Sequence, residues 1–222
     1  MPLKSQQPES PQTPPQDSES SPQTAAAANA TTSATPSQWQ RFWQSQRDNI
    51  RVLGVALVIA IVMRLWVAEP RFIPSNSMEP TLQIGDRLIV EKVSYYLHAP
   101  EAGDIVVFRP PPQLYPYGYG PHQAFIKRVV AGPGQTVTVT GQQVYVDGEP
   151  LREPYIQAPP AYEMAPVTVP PGMLFVLGDN RNNSNDSHVW GVLPQSNVIG
   201  RAYVRFWPIA QGQFLAETAA TS

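Results

Sequence analysis

A chain of 222 residues with 26 prolines, no cysteine and a formal charge of −2 has the length of one moderate domain plus tails. Lacking cysteine, it has no disulfide framework, no thiol nucleophile and no cysteine-ligated metal. The near-neutral charge, with no basic stripe interleaved with aromatics, leaves no footprint for DNA or RNA, and no nucleic-acid partner is expected.

Residues 1–37 are mostly Pro, Gln, Ser, Thr and Ala, with too little apolar surface to offset the entropy of ordering, and are expected to form a disordered tail. Glu9, Asp17 and Glu19 against a single Lys4 argue against an arginine-rich, acid-poor transit peptide. Over 38–51 the pattern becomes helical. Trp39, Phe42, Trp43 and Ile50 fall on one side at 100° per residue and Arg41, Arg47 and Asp48 elsewhere, as in an amphipathic helix lying in a membrane interface.

The run VLGVALVIAIVMRLWVA, residues 52–68, is about 17 residues long, at the short end for a transmembrane helix. Arg64 lies near its far end, where a long side chain reaches the headgroups. About 50 residues precede the run, which favours an uncleaved anchor over a cleavable signal. Arg41, Arg47 and Arg51 lie before it and Arg71 close behind, so the positive-inside rule puts the N-terminus in the cytoplasm and everything after residue 70 across the membrane.

Residues 70–208 read as a mainly β, compact all-β domain of short strands, a sandwich or barrel. The predicted strands are 87–93, 104–108, 125–130, 136–140, 143–151, 173–178 and 198–207, rich in β-branched and aromatic residues between Gly/Pro clusters. Asp147-Gly148 is a hairpin turn signal. Residues 110–123, PPPQLYPYGYGPHQ, are expected to form a stiff, extended flap, and 209–222 a flexible tail.

Ser77 stands in FIPSNSMEPTL, just beyond the anchor. Pro74 fixes its own φ and Pro80 biases Glu79 toward extended backbone, so the hydroxyl sits on a pre-set loop. A serine needs a base to become a nucleophile. His98, His122 and His188 are scattered, with no H-E-x-x-H pairing, so neither a metal nor a cofactor is expected. A Ser-His-Asp triad is recognised by geometry and stays open, although His122 lies in the Pro/Tyr loop and His188 in a polar segment. In AFIKRVV, strand alternation puts Phe125, Lys127 and Val129 on one face and Ile126, Arg128 and Val130 on the other. One of the two cations must then occupy an apolar face. Burial would lower the amine pKa of Lys127 toward neutrality, where it could act as a general base.

SNSMEPTL with IGDRLIVEK, then GDIVVF, KRVVAGPG and GDNRNNSNDSHVWG resemble, in order, the sequence boxes of the type I signal peptidases, membrane-anchored serine proteases with a Ser-Lys dyad. The single anchor and the His of DSHVWG resemble the cyanobacterial and plastid thylakoid branch. The resemblance implies Ser77 as nucleophile and Lys127 as base. It implies an oxyanion hole from the Ser75 hydroxyl and the Ser77 N–H, Ser184 as the group that orients the lysine, and an Arg128–Asp179 ion pair as a brace. His188 stands where many relatives carry an arginine paired with the equivalent of Asp186, so here the pair is charged only when the ring is protonated. Small side chains before the cut would be read by pockets, with Ile73, Met78, Leu82 and Ile126 as wall candidates.

The implied partners are preproteins bearing signal peptides, the lipid bilayer and the translocation machinery. The implied location is the plasma or thylakoid membrane, with the catalytic domain on the periplasmic or lumenal side. Two other readings fit the residues: a membrane-tethered β module without catalysis, and a related Ser-Lys self-cleaving protease.

Overall fold

The computed structural model describes residues 38–215; the expected tail over 1–37 and residues 216–222 lie outside the described residues. Two units are distinguished, residues 1–47 and 48–222. Of the first, residues 38–47 are described and all are helical. Helix α1 as a whole is Gln38–Val62, followed by π-helical turns over Met63–Val67. The interfacial and spanning segments expected on either side of residues 51 and 52 are thus continuous helix. The window Asn49–Val67 has a mean hydropathy of 2.3 and no buried residues, the length and composition that a bilayer crossing requires.

Strand β1 (Ala68–Phe72) starts directly after Val67, with no linker. Lys92 secures the junction. Its Nζ donates to the carbonyls of Arg64 and Leu65 at 3.2 and 3.4 Å and to Glu69 Oε2 at 3.0 Å, and its backbone N–H bonds the Val67 carbonyl at 2.9 Å. A cation at the C-terminal end of a helix is favourably placed for the helix dipole.

The remaining strands are β2 (Arg87–Glu91), β3 (Ile105–Phe108), β4 (Phe125–Ala131), β5 (Thr136–Thr140), β6 (Gln143–Val146), β7 (Glu149–Pro150), β8 (Met164–Thr168), β9 (Met173–Leu177), β10 (Leu193–Pro194), β11 (Val198–Trp207) and β12 (Gln213–Phe214). Four-residue helices α2 (Ser94–Leu97) and α3 (Ser187–Trp190) interrupt them. Among the described residues one sheet runs β1-β2-β11-β3-β4-β9-β10 with β12 beside β11, and a second runs β7-β6-β5-β8; every pairing is antiparallel.

Alternation decides which residues are buried. In β5, TVTVT, both valines are buried and the threonines lie outward. In β3, IVVF, all four residues are buried, because Ile105 and Val107 join one core cluster while Val106 and Phe108 join another. Each fully buried side chain of this kind contributes about 1.5–3 kcal/mol. Asp147 and Gly148 both take positive φ, 54° and 86°, in the two-residue turn between β6 and β7, the geometry that Asp-Gly favours.

Several expectations are corrected. Strand β1, AEPRF, lies outside the predicted strands because a proline and two charges mask its pattern; as an edge strand it tolerates them. The flap over 110–123 is not extended. Residues Pro112–Tyr117 form a 3-10 turn closed at Gly118 with φ 87°, and Leu114 is buried. The segment after 208 is ordered through Leu215, which is buried in the core with its N–H bonded to the Tyr203 carbonyl at 2.9 Å. The Phe214-Leu215 pair supplies apolar surface that a solvated tail lacks. The choice between Lys127 and Arg128 for the buried face also fails, because both are buried. Strand β4 lies between β3 and β9 with both faces covered.

Candidate active site

Ser77 lies in the connection from β1 to β2, which turns tightly over 77–81 rather than running extended. Hydrogen bonds from the Ile73 N–H to the Asp86 carbonyl and from the Gly85 N–H to the Ile73 carbonyl, both 2.9 Å, close its base, and Leu82 N–H to Met78 carbonyl, 2.9 Å, closes its tip. Arg205 reaches in from β11, donating to Asp86 Oδ2 at 3.0 Å and to the Thr81 carbonyl at 3.2 Å. Met78 and Leu82 are fully buried beneath the turn and anchor it to the core.

Strand β4 brings Lys127 to this turn. Its Nζ is 2.7 Å from Ser77 Oγ and 2.9 Å from the Ile126 carbonyl. The lysine is 5 % exposed and Ser77 8 %. Lys127 is the register partner of Val106 and shares a face with Phe125 and Val129, so its stem crosses apolar ground. Burial lowers the amine to about 8, with the charges of Asp186 and Asp179 pulling the other way. An amine in that range is still mostly protonated near pH 7, but its neutral fraction, roughly a tenth there and rising through pH 8, can accept a proton from the hydroxyl beside it.

The loop leaving β9 braces the turn. Asn180 donates its backbone N–H to the Ser77 carbonyl and its side-chain amide to the Asn76 carbonyl, each at 3.1 Å. Asp179 accepts from Arg128 at 2.8 Å (Nε to Oδ1) and 2.7 Å (Nη2 to Oδ2), and from Thr81 Oγ1 at 2.6 Å. Arg128 also donates to the Gly103 carbonyl at 3.0 Å and lies 3.9 Å over the Tyr155 ring. One buried ion pair thus joins β4, the β9 loop and the nucleophile turn. A side chain at Gly178 would collide with Ser184 Oγ and the Ser77 carbonyl, so the close approach requires glycine.

Of the other predicted residues, Ser75 Oγ is 3.4 Å from Ser77 Oγ. Ser184 Oγ is buried near this point and has no hydrogen-bond partner among the described residues, Lys127 included. Asp186 caps α3 and accepts from the Gly178 N–H at 2.8 Å, and its Oδ1 lies 2.7 Å from His188 Nδ1. The His188 ring stacks on Tyr162 at 4.2 Å. His98 and His122 are exposed, and neither has a hydrogen bond to Ser77 among the described residues.

Ser77 and Lys127 open onto a cleft of about 520 Å³ whose walls include Pro74, Ser75, Tyr119, Ala124, Phe125 and Ile126. Of the four wall candidates only Ile126 lines it. Ile73, Met78 and Leu82 are sealed in the core cluster that also contains Ile126. They form a floor under the cleft rather than its surface, because the turn folds them inward. Tyr119, Asn183 and Asn185 were not anticipated. Their Gly/Pro- and Asn-rich surroundings carry no periodic signal, and only the fold brings them to the site.

The family described as "Signal peptidase, peptidase S26" matches residues 46–207. A "Probable signal peptidase I-1" of Synechocystis sp. is 60% identical over 169 residues, covering 76% of this chain and 86% of that protein. A "Signal peptidase I" of Leptolyngbya laminosa is 53% identical over 162 residues, covering 73% and 80%. "Thylakoidal processing peptidase 1, chloroplastic" of Arabidopsis thaliana is 49% identical over 164 residues, covering 72% of this chain and 48% of that protein.

Proposed function

The chain belongs to the signal peptidase family, peptidase S26, and we propose that it is a membrane-anchored endopeptidase that cuts signal peptides from exported preproteins with a Ser77–Lys127 dyad. The observation that carries the mechanism is the 2.7 Å contact between a buried, pKa-lowered amine and a serine hydroxyl.

In this reading the neutral Lys127 amine takes the hydroxyl proton as Ser77 Oγ attacks the scissile carbonyl carbon. The carbonyl oxygen becomes an oxyanion, met by the Ser75 hydroxyl and the Ser77 N–H; such a donor is typically worth about 3–4 kcal/mol. The Lys127 ammonium then protonates the leaving amine, the C–N bond breaks, and the signal peptide remains as an ester on Ser77. Water, deprotonated by the same amine, hydrolyses the ester. The Ile126 carbonyl, 2.9 Å from Nζ, orients the amine in this structure. Ser184 is assigned to assist it only through a side-chain contact that is not formed here, and the Arg128–Asp179 pair holds the loops in register.

Strand β4 supports a mode of substrate binding. Strand β9 pairs with it only from Arg128 onward, so residues 125–127 have one unpaired edge along which an extended peptide can add. Side chains then alternate between faces. Those on the Ile126 side meet the sealed floor and must be small, which accounts for small-x-small cut sites. We assign the Asn49–Val67 helix as the anchor, with the N-terminus cytoplasmic, the tail over 1–37 in the cytoplasm and the β domain on the periplasmic or lumenal side. Substrates emerging from the translocation machinery while still held in the bilayer meet the enzyme there at raised effective concentration.

Purified wild type, Ser77→Ala and Lys127→Ala given a synthetic preprotein in detergent test the reading. Wild type should cleave, and both variants should lose at least about a thousandfold in kcat/KM. Cleavage that persists in both discards the dyad, and an inert wild type points to a tethered binding module.

A further inference from the structure

The cleft continues beyond the catalytic pair. A second recess of about 430 Å³ shares Tyr119 and Asn185 with it and is closed by Leu114, Tyr117, Val189 and Trp190. It lies between the 112–117 turn and α3, two elements tied by a 3.4 Å hydrogen bond from Gln113 Nε2 to the Trp190 carbonyl. An aromatic seam marks which face of β4 it belongs to. Tyr119 meets Phe125 edge-on at 5.0 Å, Phe125 meets Phe108 at 6.0 Å, and Phe108 meets Trp190 at 6.1 Å. The recess is therefore on the Phe125/Lys127 side, opposite the Ile126 side with its sealed floor.

An extended peptide added to the open edge of β4 divides its side chains between these two sides. The residues one and three before the cut share a face, and the closed Ile126 side limits them to small groups. The residue two before the cut points the other way, toward a cavity large enough for an aromatic ring. We propose that this recess is a specificity subsite for the side chain two residues before the scissile bond, and that it selects a large apolar or aromatic group there. The assignment rests on the proteolytic reading above and adds a preference at the middle position, which the small-x-small pattern leaves open.

Val189 and Tyr117 are 62 % and 78 % exposed, so both can be changed at the rim with little effect on folding. The test uses the full-length enzyme in detergent and peptides ending in Ala-x-Ala before the cut, with x as Ala, Leu or Phe. Wild type should cut the Phe and Leu peptides about tenfold better in kcat/KM than the Ala peptide, the discrimination that an apolar pocket delivers. Val189→Arg, which sets a charge at the mouth, and Tyr117→Ala, which removes a wall, should each bring that ratio within about twofold of unity. Comparing peptides within one enzyme cancels any general loss of activity. A wild-type ratio near one, or a ratio kept in both variants, overturns the subsite alone. Failure of wild type to cut any of the peptides overturns the protease reading and the subsite with it.

Discussion

Lys127 is held buried beside Ser77, where its charged form is penalised. Its amine is lowered from 10.5 to about 8, first by burial, so kcat/KM should rise with pH and level off above an inflection near 8, as a pH–rate profile on a fixed peptide will show. Between about 8 and 10.5 the unfolded chain binds a proton at this lysine that the folded chain does not, so the group makes the fold more stable as pH rises through that window. Below it, folding must bury an ammonium. Lys127→Met should therefore stabilise the protein by about 3 kcal/mol at pH 7, the free-energy equivalent of the shift, while abolishing cleavage; urea melts of both proteins check the gain. Ser184 offers a second separation of stability from activity. Its hydroxyl is buried and has no hydrogen bond among the described residues, so Ser184→Ala should leave the melting temperature unchanged or higher. If Ser184 orients the amine, the same variant should lower kcat by about ten- to a hundredfold.

The elements that carry these residues differ in how legible they were. Strands such as 136–140 and 198–207 emerged with their bounds intact, because β-branched residues between Gly/Pro clusters are a local signal. Asp147-Gly148 was readable for the same reason. The four-residue helices α2 and α3 are too short for a helical period to appear, and the 112–117 turn hides in a proline-rich run whose composition suggests extension. At the site, Ser77 and Lys127 were singled out from their boxes and strand pattern, but the burial of Met78 and Leu82 beneath the turn depends on how the chain folds back, which spacing does not encode. The Arg128–Asp179 pair holds the turn, β4 and the β9 loop together. Asp179→Asn should cost about 3–5 kcal/mol by leaving a buried guanidinium without its counter-charge, measurable as a drop in the urea midpoint at unchanged slope.

At the scale of the whole molecule, an exposed apolar helix leads directly into a β domain whose cleft is built from β4 and the turn after β1. The proposed orientation, with the N-terminus cytoplasmic, predicts that protease added to sealed vesicles presenting their cytoplasmic face outward cuts the chain ahead of α1 and spares the β domain; digestion of the β domain would reverse that orientation. The junction at Val67 and Ala68 has no spacer, and Lys92 clamps it from both sides. On the proposed anchoring, a blade joined to its post without slack would stand at a set height above the lipid, and the enzyme would double as a depth gauge that favours precursors whose cut point emerges at the matching distance. Lengthening the post by a few residues should move the favoured spacing between a precursor's greasy stretch and its cut point outward by a comparable amount.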